Sequence, residues 1–187
     1  MKRIGQDTEN TQATDTGVNF DQVVAGALTE DAVLPSYAIR FAIDQCRLES
    51  DNYTSNVFIS CNNLNGYKAD GEDIQNGPCL QSPEGDYYAS YTSVENSAHQ
   101  LSLWWGRRAA SGFDLTTLTS VTAYANALAQ FGWYTSSPTA YIARMTALDA
   151  LVSLQSSSGI NTQGVSLTTM TLFTAAGVLL LIYMVRR

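Results

Sequence analysis

The stretch 35-PSYAIRFAIDQCRLESDNYTSNVFISCNNLNGYKA-69 passes from a helical pattern to a polar one within a few residues. Pro35 suits a helix start, and Ile39, Ala42, Ile43, Cys46 and Ser50 recur at i, i+3, i+4, i+7 and i+11. That spacing predicts an amphipathic helix of about four turns. At about 100° per residue, Glu49 falls about 60° from Cys46 and about 20° from Ala42, on the edge of the apolar face. A carboxyl there is partly desolvated, which raises its pKa and lets it hold a proton near neutral pH. Such a proton is what a general acid delivers to a glycosidic oxygen. The plainer reading makes Glu49 a carboxylate that bonds loop amides or pairs with Arg47 or Lys68.

Downstream, residues 60–92 are dense in Asn, Gly, Asp and Tyr and carry Gly77-Pro78 and Ser82-Pro83. That composition predicts turns and short strands. Three helical patterns follow, over residues 93–108, 114–131 and 138–154, with Gly132 placed to end one and Ser137-Pro138 to start the next. A long helix, a small β-lobe and further helices make an α+β arrangement, mostly helical. A cleft between lobe and helices is the natural place for a site.

The chain has 187 residues, 45% of them apolar, which suits one core with appendages. Residues 1–22, beginning MKRIGQDTENTQATDTG, read as a flexible polar arm without the apolar run of a secretory signal. The domain is expected over 23–154 and a polar tether over 155–164. Residues 165–185, VSLTTMTLFTAAGVLLLIYMV, hold no charge and are followed by Arg186-Arg187. At about 1.5 Å per residue such a helix crosses a ~30 Å hydrocarbon core, and the arginines place the globular part on the far side from the cytoplasm.

A net charge of −7 argues against nucleic acid as a partner, since phosphate binding is driven by Lys and Arg. Cys46, Cys61 and Cys79 lack the spacing of a zinc site, and they read equally as three free thiols or as one thiol with a Cys61–Cys79 bridge. The single histidine, His99, lies in a helical stretch and is a poor basis for a catalytic triad.

The ordered motifs resemble the glucosaminidase domains of glycoside hydrolase family 73, flagellar and autolysin-type enzymes that cut the peptidoglycan sugar backbone. That family's pattern is Pro-Ser, a helix ending in Leu-Glu-Ser, then Asn-Asn-Leu-Phe-Gly-Ile-Lys-(Ala/Gly). Here stand Pro35-Ser36, Leu48-Glu49-Ser50 and Asn62-Asn63-Leu64-Asn65-Gly66-Tyr67-Lys68-Ala69. Tyr88-Ala89-Ser90-Tyr91-Thr92-Ser93 is similar to its Phe-Arg-x-Tyr-x-Ser, and Tyr124-Ala125-Asn126-Ala127-Leu128, Gly132-Trp133-Tyr134-Thr135 and Pro138-Thr139-Ala140-Tyr141 to its later motifs. The matches keep their order over residues 34–150.

The resemblance implies a lysozyme-like fold with Glu49 as general acid. It implies a second acid from the β-lobe, best matched by Glu84 with Glu72 and Asp86 behind it, and Asn62, Asn63, Tyr91, Tyr134 and Tyr141 as substrate-binding residues. The departures are Asp51-Asn52-Tyr53 where the family has Gly-Trp-Gly, Asn65 for Phe, and a Pro35–Glu49 run about one turn longer. Trp104 and Trp105 read as core and cleft-edge packing rather than a binding platform.

The expected function is a membrane-anchored peptidoglycan hydrolase cleaving β-1,4 bonds of the glycan strand, with no metal or organic cofactor. Its partners would be glycan strands, a lipid membrane and virion membrane or capsid proteins. The layout fits a lysin carried in the internal membrane of a bacteriophage virion and used at entry, with a bacterial inner membrane as the other home. A muramidase or lytic transglycosylase is the alternative within enzymes, and a non-catalytic structural virion membrane protein the alternative outside them.

Overall fold

The computed structural model of the protein describes residues 18–158 apart from residues 73 and 135, with side chains described up to Leu151. Asn19 opens the first helix, α1 (Phe20–Asp31), by accepting from the Gln22 amide at 3.3 Å. The boundary expected after residue 22 therefore falls inside a helix. Its first turn is anchored from afar: Phe20 packs against Tyr53 and Phe58, and Asp21 pairs with the buried Arg47 and accepts from Tyr53 Oη at 2.7 Å. At its other end Asp31 meets His99 Nδ1 at 2.8 Å, so the histidine clamps α1 to the helix α4 described below. Residues 1–17 lie outside the described residues.

Helix α2 (Ser36–Glu49) follows Pro35 as the spacing predicts, and it buries Ala38, Phe41, Ala42, Cys46 and Leu48. Beyond it Asp51, Asn52 and Tyr53 take three successive left-handed conformations, φ 51°, 55° and 68°. Few side chains adopt that region singly, and a run of three turns the chain sharply at the end of α2. The turn is fixed by the Asn52 amide donating to Arg47 O at 2.6 Å. A short helix, α3 (Asn56–Cys61), is capped by Ser55 and ends on Asn62 at φ 52°.

Strands β1 (Gly77–Gln81) and β2 (Tyr87–Ser90) form an antiparallel hairpin with Pro78 opposite Ala89 and an irregularity between Pro78 and Gln81. A Cys61–Cys79 disulfide joins α3 to β1, settling the open cysteine reading, and Cys46 is a buried free thiol whose pKa burial pushes up to about 12. The bridge closes the loop that carries Asn65 to Glu72. Reduction, or Cys61→Ser with Cys79→Ser, is expected to lower unfolding free energy by about 2–4 kcal/mol, read from denaturant titrations with and without reductant.

Helix α4 (Val94–Ala110) starts on the Ser93 cap. The expected helix over 114–131 is instead a 3-10 turn at Leu115–Thr117 and a shorter helix α5 (Val121–Gln130). Asp114 and Ser120 each cap a new start there, and the Thr-rich run between them competes with the helical ladder. Helix α6 (Pro138–Ser158) runs on through the first residues expected as tether. The architecture is thus α+β, mostly helical with a two-stranded sheet. Helix α1 packs on α4 and α2, and α6 on α5 and α2, around Phe41, Leu101, Trp105, Tyr124, Leu128 and Met145. Through this core runs a polar chain in which Trp105 Nε1 donates to Tyr124 Oη at 3.0 Å and that hydroxyl donates to Gln45 Oε1 at 2.6 Å. Among the described residues no helix is long and apolar enough to cross a membrane, and the expected span at 165–185 lies outside them.

Candidate active site

Glu49 is the last residue of α2, and its carboxyl is half-buried where three segments distant in sequence converge. Helix α5 ends at Phe131 in a Schellman turn: Gly132, at φ 70°, donates to Ala129 O at 3.0 Å and Trp133 donates to Leu128 O at 3.0 Å. The turn delivers the Trp133 indole, whose Nε1 donates to Glu49 Oε1 at 3.3 Å. One turn into α6, the buried Tyr141 donates its hydroxyl to the same oxygen at 2.7 Å. Both donors converge on Oε1, and Oε2 makes no hydrogen bond among the described residues. The plainer reading of Glu49 does not describe it: Arg47 pairs with Asp21, and Lys68 stands 3.8 Å from Glu84.

Burial pushes the Glu49 pKa up, and the bonds from Tyr141 and Trp133 and the charge of Arg144 pull it back only in part. The carboxyl therefore keeps its proton above the usual carboxylate range. With two donors on Oε1, that proton belongs on Oε2, which is the arrangement of a general acid with one fixed and one free oxygen.

Glu49 lines a groove of about 860 Å³ between the helices and the hairpin lobe. Trp133 and Trp104 form an aromatic wall, edge to face at 4.7 Å, with Tyr67 edge-on to Trp133 at 5.4 Å. The last turn of α4 contributes Arg107 and Arg108, and the lobe contributes Gly66, Lys68, Asp70, Glu72, Glu84 and Tyr88.

The second carboxyls behave differently from Glu49. Burial would raise Glu72, but Gln100 and Arg107, the latter at 2.9 Å, hold it below its ordinary value. Glu84, its side chain 70% exposed, is also held low, by its own backbone, Ser82 and the neighbouring Lys68. One carboxyl held above its ordinary pKa and two held below theirs thus share a groove. Asp86 is exposed and is not among the groove's lining residues.

The remaining expected substrate ligands divide. Tyr141 holds the acid itself, while Tyr134 stacks on Tyr141 at 3.8 Å and donates to Ala125 O at 3.0 Å. Asn63 is buried and spans the lobe, donating to Tyr67 O and Ala89 O at 2.9 Å each and accepting from the Asn65 and Tyr67 amides. Asn62 donates to Tyr91 O at 3.1 Å, and Tyr91 is itself buried. The asparagine pair and Tyr91 therefore shape the lobe and do not line the groove. Trp105 is core, and Trp104 lies at the groove wall, as expected of that pair. Sequence reasoning missed Trp133, Arg107 and Arg108 as site residues. The signal for Trp133 was present in Gly132-Trp133, since a helix-ending glycine fixes the direction of the next side chain.

No family model matches the chain, and no curated protein matches it. Among solved structures, a chain in the structure of a type VI secretion system effector-immunity complex from Pseudomonas protegens is similar, with a TM-score of 0.48 and 18% identity over 72% of this chain and 92% of that one. A likeness of that size carries no argument about what this chain does.

Proposed function

We propose that the chain is a membrane-anchored peptidoglycan hydrolase of the N-acetylglucosaminidase type, with Glu49 as its general acid and residues 165–185 as its anchor. The observation that carries this reading is the Glu49 carboxyl, half-buried at a groove wall and gripped at Oε1 by Tyr141 and Trp133, with no hydrogen bond to Oε2 among the described residues. The resemblance to glycoside hydrolase family 73 supports it. Its Gly-Tyr-Lys and Gly-Trp segments line the groove, and its Tyr141 holds the acid. The departure at Asp51-Asn52-Tyr53 keeps the conformation that the family's two glycines at 51 and 53 favour, since both positions here have positive φ. The disulfide fits a domain outside the reducing cytosol. The uncharged terminal run followed by two arginines supports the anchor, and that architecture in turn supports a virion membrane and a role in entry through the cell wall.

In the proposed reaction the Oε2 proton passes to the bridging oxygen as the bond from that oxygen to C1 breaks, so the departing sugar leaves with a hydroxyl. The cation at C1 is then captured by water that gives up a proton to Glu84, or first by the substrate's own acetamido oxygen. Tyr141 becomes more important as Glu49 turns into a carboxylate. Tyr141→Phe is expected to lower kcat about 10–100-fold and to move the alkaline limb of the pH profile upward, because the lost donor favoured the ionised form.

Mass spectrometry of products from purified cell walls tests the reading directly. New reducing ends on N-acetylglucosamine are expected. Muramic acid ends or anhydro-muramic ends would assign the muramidase or transglycosylase chemistry to the same acid, and unaltered walls would reject hydrolysis and leave the structural virion role. Fractionating purified virions, with this chain expected in the membrane fraction, tests the setting.

A further inference from the structure

Arg108 closes the far end of the aromatic wall. Its guanidinium lies 3.8 Å over the Trp104 ring and 5.6 Å from Phe131, and its Nη1 donates to Trp104 O at 3.3 Å. It is half-buried and lines the groove, and no carboxylate lies within ion-pair distance of it among the described residues. The adjacent Arg107 is already committed to Glu72, and Lys68 to Glu84. A desolvated cation without a counterion is costly, and two stacked rings hold this one in place rather than letting it swing into water. A fixed guanidinium fork is preorganised for two parallel bonds to a carboxylate. Trp104 meets Trp133, and Trp133 holds Glu49, so the fork and the acid sit on one continuous aromatic rail.

We propose that Arg108 is an anion-binding subsite of the groove that takes a carboxylate carried on the substrate's muramic acid, so that the site selects peptidoglycan over uncharged N-acetylglucosamine polymers. The proposal rests on the glycan-hydrolase reading of the same groove. Two carboxylate sources share this chemistry: the lactyl group of muramic acid, free only where no stem peptide is amide-bonded to it, and the acids of the stem peptide itself. Uncharged chitin-type strands have neither.

The test uses the full chain in detergent and three soluble substrates: peptide-bearing glycan, glycan stripped of peptide by an amidase, and N-acetylglucosamine oligomers. Arg108→Gln is expected to raise KM about 10–100-fold on substrates that carry the recognised carboxylate, and to raise it by a much smaller factor on the oligomers. Loss on the stripped glycan alone assigns the lactyl carboxylate, loss on the peptide-bearing glycan alone assigns the stem, and loss on both means that the fork takes either acid. Arg108→Lys keeps the charge without the fork and is expected to recover only part of the loss. An equal change on all three substrates, or none, overturns the proposal. Calorimetric binding of a muramyl peptide separates the two readings. A chain that cleaves nothing but binds the peptide through Arg108 loses the enzymatic reading and keeps the subsite, and one that does neither loses both.

Discussion

Glu49→Gln is expected to abolish measurable wall cleavage, lowering the rate by about 10²–10⁴-fold, while the domain stays folded. The substitution is nearly isosteric. The amide oxygen accepts from Tyr141 and Trp133 as Oε1 does, and the amide nitrogen takes the place of Oε2. What is lost is the transferable proton. Stability should not fall. Because the folded-state pKa of Glu49 is raised by burial, the unfolded chain ionises first as pH rises, and wild type loses stability relative to the glutamine variant until the folded-state pKa is passed. The variant is therefore expected to melt no lower than wild type at neutral pH. Turbidity clearance of cell walls and a thermal melt on the same sample check both halves. Clearance by Glu49→Gln within threefold of wild type would remove Glu49 from the chemistry, and lost clearance accompanied by a collapsed melt would show a structural role instead.

The parts of this site that could be read in the sequence are those with local causes. Pro35, the apolar spacing of α2 and the position of Glu49 at its edge depend on residues within a few turns, and the structure keeps them. Helices α1 and α3 were not legible. The first is fixed by Asp21 to Arg47, 26 residues away, and by Asp31 to His99, 68 away, and the second is a six-residue helix among Asn, Ser and Thr. The acid's own environment was legible only in outline, because its two donors lie 84 and 92 residues downstream. The asparagine pair shows what a motif leaves unsaid. The family resemblance implies Asn62 and Asn63 as ligands, and in the fold Asn63 makes four bonds to the backbone of its own lobe, a turn-building role that the motif does not spell out. Arg107 and Arg108 look on paper like cations at a helix end, where the dipole favours them, and only the groove distinguishes the one with a carboxylate from the one without.

A second acid on α2 sets the pH dependence of the fold. Asp44 is 1% exposed, and its Oδ2 has no hydrogen-bond partner among the described residues. Burial is the main cause that pushes its pKa up to about 8, with Asp149 of α6 and Asp21 of α1 adding to it and Arg47 and Arg40 opposing it. Below about pH 4 both folded and unfolded chains hold this proton, and Asp44 does not affect the balance. Between there and pH 8 the unfolded chain releases the proton and the folded one keeps it, so stability falls with rising pH. Above pH 8 both are ionised and the loss is complete. At about 1.4 kcal/mol per pH unit, the full loss is on the order of 5 kcal/mol, a large share of a domain's stability. Asp44→Asn removes the titration and keeps the shape. The variant and wild type are expected to unfold at similar urea concentrations at pH 4, with the variant gaining steadily up to pH 8 and the gap constant beyond. Taking the difference between the two proteins cancels the titration of the carboxyls that do not interact with Asp44, so a gap that does not grow over that window would mean that Asp44 is already ionised in the fold. A neutral Asp44 does not compete with Asp21 for the charge of Arg47, and it keeps the α2 face against α6 free of a second negative charge beside Asp149. The same packing of α6 on α2 brings Tyr141 to Glu49, so the protonation of one buried acid supports the geometry of the other.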